Sequence, residues 1–156
     1  MAEAMNLEGY DMFKKILVPI DGSETSWHAL EQAIVLGNKF DSELVVVNVI
    51  QPYNNAALLA VPFDYATINQ GNNELEKIGD KVLGMAKEKV SGYAKGVEYI
   101  LEVGHPSERI LSVAKKTSCD AIVIGSRGLS GIAEFLLGSV SSKVSQYATI
   151  PVLIVK

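Results

Sequence analysis

Residues 14–30 read KKILVPIDGSETSWHAL, and the spacing of apolar residues changes halfway along. Lys14 to Asp21 is a short apolar run that ends in turn residues, the pattern of a buried strand. Pro19 donates no ladder hydrogen bond, so it belongs at the strand's exit. A turn follows, with Ser23 placed to cap a helix. Trp27, Leu30, Ile34 and Gly37 then recur at helical spacing and turn one face inward.

The same strand-then-helix alternation continues outward. SELVVVNVI (Ser42–Ile50) is a second buried strand, rich in β-branched residues. The stretch from Pro52 to Gln70, marked by Pro52 and Pro62, reads as a loop of about 15–20 residues. That is unusual in a compact domain and suits a lid or a partner surface. A long helix comes next, with Leu75, Ile78, Val82, Met85 and Tyr93 on its expected inner face. VEYILEV (Val97–Val103) is a third strand, and a helix with Pro106 in its first turn follows. AIVIG (Ala121–Gly125) is a fourth strand, SSKVSQYA a short helix, and VLIVK (Val152–Lys156) a fifth strand. Strands alternating with helices imply an α/β fold, a mostly parallel sheet with helices on both faces.

Composition narrows the function classes. The chain has 156 residues, 48% of them hydrophobic and 21% charged, with a net charge of −4. This is the profile of one soluble domain, expected over 13–156. An acidic chain is poorly suited to neutralising phosphate backbones, so non-specific nucleic-acid binding is not expected. No apolar run approaches the ~18 residues of a membrane span. MAEAMNLEGYD lacks the basic start and apolar core of a signal peptide and reads, as part of 1–12, as a flexible extension. Cys119 is the single cysteine, which fits a reducing cytoplasm. His28 and His105 have no companions at metal-ligand spacing, and no histidine lies near Cys119 to activate it.

Open α/β sheets bind ligands beyond the carboxyl ends of their strands, where strand order reverses. Two strand exits have suitable chemistry: PIDGS after the first strand and GSRGLSGIAEFLLGS (Gly125–Ser139) after the fourth. Gly125 and Gly128 would let a ligand approach the main chain. Gly138 and Ser139 stand at a helix start, where unpaired amides favour phosphate. Such glycines also occur in ordinary α/β turns, and both readings are open on spacing alone. The segment is neither a Walker loop nor a dinucleotide fingerprint. Arg127 either neutralises phosphate or points into water. Ser126 and Ser130 read as solvated loop residues, and Glu134 as a solvated carboxylate rather than a base.

Gly125, Gly128, Gly138 and Ser139 form Gly-x2-Gly-x9-Gly-Ser. With ILVPIDGS, GHPSERIL and IPVLIVK in order, the chain resembles the ATP-binding subgroup of the universal stress protein family from about Lys14 to Lys156. The resemblance implies a single doubly wound, Rossmann-like open sheet of five parallel strands, order 3-2-1-4-5, of the adenine nucleotide alpha hydrolase-like kind. It implies that Pro19, Asp21, Val49 and Ile124 border an adenosine. Gly125, Gly128, Gly138, Ser139 and Val140 would hold ribose and phosphates, with Arg127 between the glycines. Asp21 would bond the nucleotide or metal-bound water, or else cap the helix entry. The implied ligand is ATP, with Mg²⁺ carried mainly on its phosphates. A stress-response switch, a slow ATPase and a structural dimer with AMP, ADP or no nucleotide are the competing functions. The resemblance also implies a homodimer, and a hydrophobic edge strand at Val152 to Val155 asks for a covering partner.

Overall fold

The computed structural model describes residues 12–52, 65–129 and 137–156. Their elements are β1 (Lys15–Pro19), α1 (Glu24–Phe40), β2 (Glu43–Ile50), α2 (Tyr65–Lys89), β3 (Val97–Val103), α3 (Pro106–Lys116), β4 (Ala121–Gly125), α4 (Ser139–Tyr147) and β5 (Val152–Val155). The five strands form one parallel sheet in the order β3-β2-β1-β4-β5, as the resemblance implied. Most of the 1–12 extension, most of the Pro52–Gln70 stretch, Ser130 and Glu134 lie outside the described residues. The end of that stretch is corrected, because α2 already starts at Tyr65.

Both faces of the central strands are covered, which is why they read as unbroken apolar runs. Ile16 and Val18 pack with Ala29, Leu30 and Ala33 of α1, with Leu83 and Ala86 of α2, and with Val90 just beyond it. Leu17, Val45 and Ile122 point the other way, onto Val113 of α3 and Val144 of α4. Each fully buried side chain of this size contributes about 1.5–3 kcal/mol from leaving water.

Ser23 caps α1 as expected, its side chain accepting from the Ser26 amide. The inner face of α2 differs from the sequence expectation. Ile78 is 58% and Met85 42% exposed, while Leu83, Ala86 and Val90 are buried. Gly79 lies on the same buried side, so close to the sheet that a Cβ there would stand 2.5 Å from Leu101 and 2.9 Å from Asn48.

Beyond Pro19 the first strand is still tied to the second. The Ile20 amide donates to the Val47 carbonyl at 2.9 Å, and the buried Asn48 amide group donates to the Ile20 carbonyl at 2.7 Å. These bonds fix the chain just before Asp21. At the other end of the sheet, Cys119 is 7% exposed and sits 3.2 Å from the Thr117 hydroxyl. Burial pushes its thiol pKa up. Among the described residues, no helix is long and apolar enough to cross a membrane.

Candidate functional site

β1 and β4 are neighbours in the sheet, yet α1 covers one face and α4 the other. A cleft lies beyond their carboxyl ends, bordered by both exit loops. The cavity there measures about 520 Å³, within the usual size of small-molecule sites. Pro19, Val47, Val49 and Ile124 make its floor, with Pro106 and Ile110 from α3. Asp21, Ser26, Gly125, Arg127, Gly128 and Leu129 border it from the β1 exit, the start of α1 and the β4 exit. Leu137, Gly138, Ser139, Val140 and Ser141 complete the rim from the start of α4.

All ten residues singled out in the sequence border this one cavity: Pro19, Asp21, Val49, Ile124, Gly125, Arg127, Gly128, Gly138, Ser139 and Val140. Sequence reading missed Ser26, Val47, Ile110 and Ser141. Val47 and Ile110 carry only the signal of core residues, and the two serines only that of helix starts.

Asp21 serves the turn as well as the cleft. Its Oδ1 accepts from the Ser23 amide at 2.9 Å and from the Ser23 hydroxyl at 2.5 Å. Its Oδ2 accepts from the Leu129 amide at 3.3 Å. The carboxylate thus caps the entry to α1 and ties the first exit loop to the fourth strand's loop. The helix-entry reading of this residue is a fact of the structure, alongside its place on the cavity wall.

The glycines also have protein neighbours. A Cβ on Gly125 would stand 2.7 Å from the Thr25 main-chain carbon, so this glycine lets α1 pack against β4. A Cβ on Gly128 would stand 2.7 Å from Asp21 Oδ2. One on Gly138 would meet the Arg127 Cα and the Ser126 carbonyl oxygen, both at 3.3 Å. Close approach is thus required at each, but by other parts of the chain. The Gly138 amide donates to the Ser126 carbonyl at 2.8 Å, so it is not a spare donor. At the start of α4, the amides of Ser139 and Val140 are among those with no intrahelical acceptor.

Ser126 departs from its sequence reading. It is 3% exposed, and its hydroxyl meets no hydrogen-bond partner among the described residues. Its carbonyl accepts a second bond, from the Ser141 hydroxyl at 2.8 Å. Among the described residues no three His, Cys, Asp or Glu side chains cluster as metal ligands. A divalent ion here would depend on ligand oxygens.

Known proteins share this fold. The sequence profile described as "Universal stress protein family" matches residues 12–156. Universal stress protein YxiE of Bacillus subtilis is 41% identical over 150 residues, spanning 93% of this chain and all of that protein. The solved structure of MJ0577 of Methanocaldococcus jannaschii superposes with a TM-score of 0.79 at 31% identity, covering 93% of this chain and 96% of that one. Two further structures of the fold were solved with a nucleotide. One is a universal stress protein with cAMP (TM-score 0.67, 24% identity, 92% of this chain and 97% of that one). The other is the Archaeoglobus fulgidus protein with dAMP (TM-score 0.66, 22% identity, 93% and 99%). The chain belongs to the universal stress protein family.

Proposed function

We propose that this universal stress protein family member binds ATP in the cleft and acts as a ligand-controlled switch in a stress response. The observation that carries the reading is the division of one cavity into an apolar floor and a rim of main-chain amides and hydroxyls. Pro19, Val49 and Ile124 offer flat apolar surface to an adenine. The α4 amides at Ser139 and Val140, the Ser139 hydroxyl, the Gly128 amide and Arg127 suit a chain of phosphates. The cAMP and dAMP complexes of two proteins of this fold are in keeping with an adenine nucleotide.

Magnesium fits as a passenger on the phosphates, where it would supply neutralising charge, with Asp21 the carboxylate available to hold it. Mg²⁺ commonly needs only one or two carboxylates when phosphate supplies the rest. Asp21 is the one carboxylate bordering the cavity among the described residues. Because Asp21 also joins the two exit loops, filling the cleft acts directly on the loops that face outward.

Titration calorimetry of the full chain tests the reading. ATP with Mg²⁺ is expected to bind and GTP to bind more weakly, whereas absence of any heat or saturation with ATP would overturn it. Turnover is expected to be well below the ~10 s⁻¹ of a median enzyme, since Asp21 is already engaged as a hydrogen-bond acceptor.

The same proposal includes a homodimer. Among the described residues β5 pairs only with β4, and Leu153 on it is 44% exposed. A second copy pairing along Val152 to Val155 satisfies the open edge. Light scattering of the wild type and of Leu153→Pro checks this. A wild-type monomer at micromolar concentration would count against it.

A further inference from the structure

Thr25 lies in the first turn of α1 and does not border the cavity. Its Oγ1 nevertheless donates to the Arg127 carbonyl at 2.5 Å. The Ser23 hydroxyl lies 3.4 Å from the same oxygen, but its single proton has a nearer acceptor in Asp21 Oδ1 at 2.5 Å. Thr25 is therefore the donor that fixes this carbonyl. Gly125 makes the contact possible, because any side chain there would meet Thr25.

A trans peptide unit is planar, with its C=O and N–H pointing in opposite directions. Holding the Arg127 carbonyl toward α1 turns the Gly128 amide away from α1. α1 packs on the Ile16 and Val18 face of the sheet, while the cleft floor at Val47, Ile110 and Ile124 belongs to the opposite face. Gly128 borders the cleft, and its amide meets no acceptor among the described residues. Ser141 of α4 holds the preceding carbonyl, that of Ser126.

We infer that Thr25 is a positioning residue, whose hydroxyl holds the Arg127–Gly128 peptide so that the Gly128 amide presents a donor to the ligand's phosphates. The inference rests on the nucleotide reading of the cleft and deepens it. Affinity for the phosphate chain depends on a side chain that the ligand does not touch, while affinity for the nucleoside does not.

The test uses the full chain, with Thr25→Val, which keeps the shape and removes the donor, and Thr25→Ser, which restores it. Calorimetry with ATP and with adenosine is the first readout. In Thr25→Val the ATP dissociation constant is expected to rise on the order of tenfold, and that for adenosine by less than about twofold. Thr25→Ser is expected to return ATP affinity to the wild-type value. A role in folding alone would weaken both ligands together and would lower the melting temperature in step. The second readout needs no variant: the Gly128 amide proton resonance of the wild type is expected to move on ATP addition and to stay in place on adenosine addition. Wild-type ATP affinity in Thr25→Val, equal losses for both ligands, or an unmoved Gly128 resonance would each overturn the inference and leave the nucleotide reading standing. A wild-type chain that binds neither ligand would overturn both.

Discussion

Val47, Ile110 and Ile124 on the cleft floor are buried core residues that also form the wall of a site, whereas Gly125, Gly128 and Gly138 on the rim have no side chains at all. The floor is shaped by what its residues fill, and the rim by what its residues leave room for. At Gly125 the room is taken by helix main chain, at Gly128 by the end of a carboxylate, at Gly138 by another turn of loop. The contrast teaches that floor changes disturb stability and binding together. Rim changes separate the two according to which atom stands where a Cβ would go.

Ile110→Ala is expected to have the largest effect. Truncating a buried isoleucine costs about 2–4 kcal/mol, and the same atoms are missing from the floor. Urea denaturation should show the loss, and calorimetry should show ATP and adenosine weakened in proportion. Unchanged adenosine affinity would break the identity of floor and core. Gly125→Ala comes next. The collision is with the main chain of Thr25, which cannot swing aside, so a loss of about 1–3 kcal/mol is expected in the same denaturation experiment. A variant as stable as the wild type would show that α1 moves freely against β4.

Gly128→Val should spare the fold and harm the site. Its Cβ meets a side chain, the Asp21 carboxylate, rather than main chain, so the stability cost should be smaller than at Gly125, about 1 kcal/mol. Displacing Asp21 and crowding the amide should still raise the ATP dissociation constant by on the order of tenfold or more. Equal losses of stability in Gly125→Ala and Gly128→Val would erase the distinction between the two glycines.

Tyr93→Phe, remote from floor and rim, sets the baseline. Tyr93 donates to the Ser42 carbonyl at 2.5 Å, and burial, then the nearby Asp41, pushes its pKa above the usual value for tyrosine. A folded-state pKa above the unfolded one gives stability that is complete below about pH 10 and is lost as pH rises through the folded value. Melting temperatures of the wild type should therefore fall more steeply than those of Tyr93→Phe above that pH, with ATP affinity alike in both at neutral pH. Parallel curves would mean that the hydroxyl is not held as described.

Much of this was legible in the sequence because strands buried on both faces leave dense β-branched runs, as at Val45 to Val47. The strand order was legible only through family resemblance, since no local pattern says that β1 lies beside β4. The α2 face was misread for a physical reason. Small residues approach the sheet closely, so Gly79 and Ala86 bury their positions while carrying little hydrophobic signal, and Ile78 and Met85 carry signal on the outer side. The cleft's glycines were visible by spacing. Thr25 and Ser141 were not, because a hydroxyl's carbonyl partner about a hundred or about fifteen positions away is settled only by folding.

Cys119 gives the protein a clock. The chain's only thiol is shut beneath α3 and α4, at the end of the sheet remote from the cleft, so a thiol reagent must wait for that layer to part. Its rate of modification thus counts openings, and the ratio to the rate in denaturant converts to the free energy of opening. Slower labelling in the presence of a nucleotide would report, from the far end of the sheet and without any introduced probe, how far the grip of the cleft is felt.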